Sequence, residues 1–378
     1  CDGARGRAPV VSAKGQSQFF KGDLAMNSRL PKTSISALLL STALIIAVAL
    51  PLQGQVAKSY VPALQARDGA DLGLALMNPT LAEATVTLTA RDYTGAIIQN
   101  DAITNPVTLT LPASGQIAVR AAEVFGSGLS GQAGWVEVSA STAAVKGLFS
   151  VFDSGLSFVD VGKFATPAGR LVFPKVSGSL ATELSLVNTA SQDLQTTISL
   201  YTNDGQLFSA KSLIIPAYSG FTSSVAELAP STSNFEGYAV VDSGVSPGSG
   251  MSESLVGFET YRNRSDIAFV RAFPESARLR TGFLAHLASQ GGYSTKLTLV
   301  NFSSDSQVLR ITADGLQVGG SSRIPSSATV ERTLPPNARL EESIEQTFGF
   351  SGEALIDGYI RFETETNTSG VIGFLDYG

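Results

Sequence analysis

The chain has 378 residues, enough for two or three domains that each bury a core of their own. Charged residues make up 15% and hydrophobic residues 43%, a balance that suits many short strands with small-residue turns and excludes a disordered chain. The formal charge is −6, but residues 1–58 hold 7 basic and 2 acidic groups, so the body carries 19 basic against 30 acidic, which excludes nucleic acid and anionic membrane surfaces as partners.

Residues 1–25 begin with Cys and show no periodicity, and they read as sequence upstream of the true start. Cys1, the sole cysteine, lies there, so the mature chain would have neither a disulfide nor a thiol nucleophile nor a thiolate metal site. Met26 then opens a signal-peptide layout over 26–54, with Arg29 and Lys32 before the apolar run Ile35 to Leu50 and small residues Ala47 and Ala49 for cleavage. An uncleaved membrane anchor is the alternative, although sixteen apolar residues fall short of the roughly twenty that span a bilayer. Either way the body is expected outside the cytoplasm, extracellular or periplasmic.

From residue 55 the sequence repeats. The pentads "LALMN", "LSLVN" and "LTLVN" end at Asn78, Asn188 and Asn301, spaced 110 and 113 residues apart. Each is followed by a turn glycine (Gly95, Gly205, Gly315), a Leu/Ile-Pro step (Pro112, Pro216, Pro335) and a Gly-aromatic pair opening a β-rich run (Trp135, Tyr238, Tyr359). A strand with an internal glycine closes each copy, 69, 69 and 72 residues after the Asn. Leu-x-Leu-x-Asn places two leucines on one face of a strand, and the short polar Asn ends it at a turn.

In the second copy, alternation and turn residues predict strands near 171–176, 182–188, 195–202, 207–215, 219–223, 237–242, 254–261 and 266–271. One helical turn precedes each Gly-aromatic step, at 120–125, 224–228 and 340–348. Seven or eight strands per copy predict an all-β chain of three tandem β-sandwich modules, 55–164, 165–276 and 277–378. The third copy stops after its glycine-containing strand, where the first two continue into "LSFVDVG" and "DIAFVRAF".

Candidate chemistry is sparse. "GVSPG" matches a nucleophile elbow around Ser246, but the next residue, Pro247, has no N–H for an oxyanion hole, so a serine hydrolase is the least favoured reading. His286 is the only histidine and reads as a solvent-facing or strand-edge residue. Asp68 and Asp71 lack the ligand run calcium needs. Trp135, Tyr238 and Tyr359, equivalent in the three copies, read as structural aromatics closing a sandwich corner. Asn263, Asn301 and Asn367 head glycosylation triplets that matter only in a glycosylating host.

The order "FPKV…LSLVN…NDG…IPAYSG…GYAVV…LVGFETY" resembles tandem immunoglobulin-like or fibronectin-like β-sandwich repeats of secreted bacterial proteins of unassigned function. The resemblance covers about residues 60–378, and its motifs carry no catalytic residue. Together these observations predict a non-enzymatic surface, matrix or spacer protein with no cofactor and no metal. The alternative is a glycan- or cell-wall-binding protein whose candidate aromatics, read as exposed, are Tyr218, Phe235 and Tyr293.

Overall fold

The computed structural model describes residues 56–64, 70–153, 159–229, 235–244, 253–263, 266–319, 327–366 and 368–377. The expected signal peptide, the segment upstream of it, Asp68, Ser246 and Asn367 lie outside the described residues.

The first repeat forms β1 (Ala57–Val61), β2 (Ala70–Met77), β3 (Ala84–Arg91), β4 (Val107–Leu111), β5 (Gln116–Arg120), a short helix α1 (Ala121–Phe125), β6 (Trp135–Ala140), β7 (Lys146–Asp153) and β8 (Val159–Lys163). The second forms β9 (Arg170–Ser177), β10 (Glu183–Asn188), β11 (Leu194–Thr202), β12 (Leu207–Ile215), β13 (Gly220–Ser224), α2 (Val225–Leu228), β14 (Glu236–Asp242), β15 (Leu255–Asn263) and β16 (Asp266–Arg271), followed by the two-residue β17 (Phe273–Pro274). The third forms β18 (Thr281–Ser289), β19 (Thr295–Asn301), β20 (Gln307–Val318), β21 (Ala328–Leu334), β22 (Arg339–Ser343), α3 (Ile344–Phe348), β23 (Ile356–Thr364) and β24 (Val371–Tyr377).

Among the described residues these strands make six antiparallel sheets. In chain order they are sheet 1a (β1-β6-β3-β4), sheet 1b (β5-β2-β7-β8), sheet 2a (β9-β14-β11-β12, with β17 on the edge of β9), sheet 2b (β13-β10-β15-β16), sheet 3a (β18-β23-β20-β21) and sheet 3b (β22-β19-β24). Three hydrophobic clusters each join the two sheets of one repeat, exemplified by Leu74 with Leu88, Leu186 with Leu200 and Leu299 with Ile311, and the first also takes in Phe258 and Phe269 of sheet 2b, where Phe269 meets Phe149 edge to face. The strand order is therefore the same three times, first strand beside sixth, sixth beside third, second beside fifth and seventh. It differs from the immunoglobulin order of ABED over CFG. The all-β, two-layer architecture agrees with the sequence expectation.

Alternation explains the strands whose second face is wet, such as β3, where every other residue of "ATVTLTAR" is buried. It fails in the middle of the chain. In β9, β10 and β14 nearly every residue is buried, on both faces. The cause is that each sheet pair is covered by the next. Tyr60 and Trp135 on sheet 1a pack with Val187 and Val256 on sheet 2b, and Val172, Tyr238 and Val240 on sheet 2a pack with Val300 and Ile372 on sheet 3b. The six sheets thus stack in the order 1b, 1a, 2b, 2a, 3b, 3a.

Each repeat is closed by its pentad asparagine, which is fully buried. Asn188 Nδ2 donates to the carbonyls of Gln192, Ile215 and Pro216. Asn78 does the same to Ala82, Leu111 and Pro112, and Asn301 to Asp305, Leu334 and Pro335. The asparagine staples two loops together, a role beyond ending a strand. One landmark departs from expectation: Gly315 lies at φ 65° inside the bulged strand β20, where Gly95 and Gly205 close turns.

Candidate functional site: the seams between sheet pairs

The two seams are built from the same positions. At the first, the Trp135 indole N–H donates to the carbonyl of Tyr218 at 3.2 Å. At the second, the Tyr238 hydroxyl donates to the carbonyl of Asn337 at 2.7 Å. Tyr218 and Asn337 hold equivalent places in the turns after the Ile-Pro and Leu-Pro steps, both in the left-handed region at φ 59° and 57°. The backbone bond beside them is repeated too: the Gly220 amide donates to Tyr93 at 2.9 Å, and the Arg339 amide donates to Asn203 at 2.8 Å. The turn glycines make this approach possible. A Cβ on Gly95 would lie 2.9 Å from the Ala217 carbonyl oxygen, and one on Gly205 would lie 2.6 Å from that of Pro336.

Burial of these hydroxyls holds them neutral. Desolvation, aided by Glu137, raises Tyr60 to about 12, and desolvation pushes Tyr238 higher still. Glu137 itself is held by Lys58 at 2.8 Å, so the first seam tolerates an ion pair at its rim.

Beside the second seam, where β15 of sheet 2b also reaches sheet 3b through Tyr261 and Asp376, lies a cluster of charges. Lys175 is buried with its ammonium paired to Asp376, 4.0 Å from Glu341 and 4.6 Å from the centre of the Tyr261 ring. Arg339 spends its donors on the Pro174 carbonyl at 2.7 Å, Asn203 Oδ1 at 2.8 Å and the Glu341 carboxylate. The Tyr261 hydroxyl donates to Asp376 at 2.8 Å. Glu259, with no exposed surface, accepts from the Lys175 amide at 3.3 Å, while its Oε2 has no hydrogen-bond partner among the described residues. Desolvation raises the Glu259 carboxyl well above its ordinary range, so it favours the neutral acid. Perturbed groups of this kind can mark catalytic sites. Here they pair side chains of β9, β15, β22 and β24 with one another.

The residues singled out on sequence do not converge. Tyr218 is half-buried in the first seam with the Arg91 guanidinium 4.5 Å from its ring centre, and its carbonyl is in use. Phe235 is 5% exposed, part of the second core and packed on Phe208, so the exposure expected of it is corrected. Only Tyr293, 59% exposed at the β18–β19 hairpin, stands in solvent. Trp135 and Tyr238 are structural as expected, but they seal seams and not corners. His286 is exposed on β18 beside Tyr377. Asp71 lies 3.9 Å from Arg120.

Sequence reasoning missed Lys175, Glu259 and Arg339. The available signal was a charge set inside an apolar strand, as in "LVFPKVS" and "LVGFETY". Among the described residues no group of three His, Cys, Asp or Glu is placed to hold a metal ion, and no helix is long and apolar enough to cross a membrane. Comparison of the chain with family models, with curated proteins and with solved structures finds no match.

Proposed function

We propose that the chain is a non-enzymatic exported spacer or matrix protein, in which each sheet pair is one β-sandwich module and three modules stand in tandem. The observation that carries this reading is the repetition of one joint: an aromatic donor at the same position, Trp135 and then Tyr238, the same left-handed turn and the same backbone bond fasten first to second and second to third. A binding or catalytic protein gains nothing from fixing its modules twice by one device, whereas a spacer gains a set length and direction. Export rests on the sequence of residues 26–54, and the resemblance to secreted sandwich repeats is kept at the level of architecture.

A second reading, a glycan- or cell-wall-binding protein, is favoured by one observation, the exposed Tyr293. Sedimentation and pull-down of the purified protein with insoluble polysaccharides, peptidoglycan and whole cells separates the two. The spacer reading expects no saturable binding to any glycan. Saturable binding lost in Tyr293→Ala would overturn it in favour of recognition, and labelling of Ser246 by a fluorophosphonate would overturn it in favour of a hydrolase.

A further inference from the structure

Among the described residues the stack of sheets has two uncovered ends, and each carries the positions that its counterparts bury. On sheet 3a the equivalents of the seam pairs Tyr60–Trp135 and Val172–Tyr238 are Phe283 and Tyr359. The earlier four are at most 3% exposed, whereas Phe283 is 65% and Tyr359 38% exposed. On sheet 1b the residues in register with Val187, Phe258 and Phe269 of sheet 2b are Met77, Leu148 and Val161, all exposed. A shallow apolar groove lined by Gly73, Ala75, Leu148, Phe152 and Val161 runs along that face. Exposed apolar groups collected on one face of a soluble protein mark a contact surface.

We infer that copies of this chain associate head to tail, the outer face of sheet 3a of one copy seating on the outer face of sheet 1b of the next. Continuity with the internal seams names the occupant. The turn of sheet 1b that matches Tyr218 and Asn337 holds Ser114, exposed and at φ 55°, in the same left-handed conformation. Its carbonyl is the acceptor for the Tyr359 hydroxyl of the neighbouring copy, as those of Tyr218 and Asn337 are for Trp135 and Tyr238. Charge agrees with this. The outer face of sheet 1b carries Arg120, Lys146 and Lys163 against Asp71 and Glu123, both beside Arg120, and that of sheet 3a carries Asp314, Glu331, Asp357 and Glu363 against Arg310 and Arg361, so a net positive face stands opposite a net negative one. A basic face meets an acidic one.

The joint between copies is weaker than those within the chain. Gly315 sits in a bulge, so sheet 3a has no tight turn to accept the backbone bond that Tyr93 and Asn203 accept. Association is therefore reversible, concentration-dependent and weakened by salt. A contact between two different faces does not close on itself in a dimer, so it extends into chains of copies unless the rotation closes a ring.

The inference deepens the spacer reading and rests on it only for its biological sense. Sedimentation velocity of the purified protein over a wide concentration range tests it, with Leu148→Glu/Val161→Glu as a tail variant and Phe283→Lys/Tyr359→Lys as a head variant. All four positions are exposed, and an unchanged melting temperature with unchanged circular dichroism verifies the fold of each variant. The wild type is expected to grow past the dimer, each variant alone to lose association, and an equimolar mixture to recover one-to-one dimers through its remaining pair of intact faces. A wild type that stays monomeric at every concentration overturns the inference and leaves the spacer reading intact, as does a monomer whose sheet 1b is protected by residues of its own chain. A head variant that still dimerises overturns it as well, because sheet 1b would then pair with itself.

Discussion

The hydroxyl of Tyr238 donates to the carbonyl of Asn337, 99 residues further along the chain, at 2.7 Å. The bond crosses from one sheet pair to the next, and its counterpart between Trp135 and Tyr218 crosses the other seam. Tyr359, third in the series, is 38% exposed, with no sheet over it among the described residues. One sequence position thus has three equivalents that differ in what covers them, and energy should follow cover.

Truncating Tyr238 to alanine is expected to cost about 3–5 kcal/mol, the usual range for a large aromatic removed from a packed interior. Tyr238→Phe, which keeps the ring and strands the Asn337 carbonyl, should cost about 1–2 kcal/mol. Tyr359→Ala should stay within about 0.5 kcal/mol, as exposed substitutions do. Urea unfolding of the three variants gives the ranking, and a Tyr359→Ala cost near that of Tyr238→Ala would show that the ring matters within its own sheet and not at the seam.

Gly205 and Gly319 both have positive φ, 84° and 66°. A side chain at either costs about 1–2 kcal/mol of backbone strain. Only at Gly205 does it also strike the partner turn, 2.6 Å from the Pro336 oxygen, whereas nothing lies within 4 Å at Gly319. Gly205→Ala should therefore speed hydrogen exchange of the Arg339 amide, whose acceptor is Asn203, and Gly319→Ala should leave that amide protected.

Asn188→Ala removes four bonds at once: the carbonyls of Gln192, Ile215 and Pro216 lose their donor and the Ala190 amide loses its acceptor. The expected cost is about 2–4 kcal/mol, with Asn188→Asp no better because a carboxylate cannot donate. The same geometry bears on Asn301, whose amide nitrogen is turned inward to three carbonyls. Expressed in a glycosylating host, Asn301 should remain unmodified by peptide mass spectrometry despite its N-x-S triplet.

Strands were legible in the sequence because their signals are local. The second repeat folds within two residues of every predicted boundary, and the three helical turns fall where expected, α3 starting later because residues 339–343 continue as strand. What covers a strand's second face is not local. Runs such as "GYAVV" are apolar on both faces, but nothing within the run says whether a sister sheet or solvent lies outside. For the same reason Phe235 and Tyr218 read as free aromatics; the charges set inside apolar strands are visible in the sequence, but the partners found for them 201 and 136 residues away, Asp376 for Lys175 and Asn203 for Arg339, are not. The landmark Gly315 was misplaced because a Gly after Asp serves a bulge as well as a turn.

Glu259 offers a test of the second seam through pH. Its carboxyl, raised by burial in the folded chain, keeps its proton at pH values where the unfolded chain has released it, above the ordinary value of 4.5. Folding is then opposed by deprotonation, so the stability Glu259 contributes is fullest below 4.5 and falls as pH rises toward the raised folded value, beyond which the loss levels off. Asp160 is raised by burial in the same direction and forms a common background in wild type and variant. Glu259→Gln keeps an oxygen for the Lys175 amide and replaces the partnerless Oε2 by an amide that cannot titrate. Whatever fixed cost that amide carries is independent of pH, so the diagnostic quantity is the slope. Calorimetry from about pH 4 to 8 should show the melting temperature of Glu259→Gln gaining on wild type as pH rises. Parallel curves would mean that Glu259 stays ionised in the seam, stabilised by Lys175 and Arg339, and that the cluster is a network of full charges.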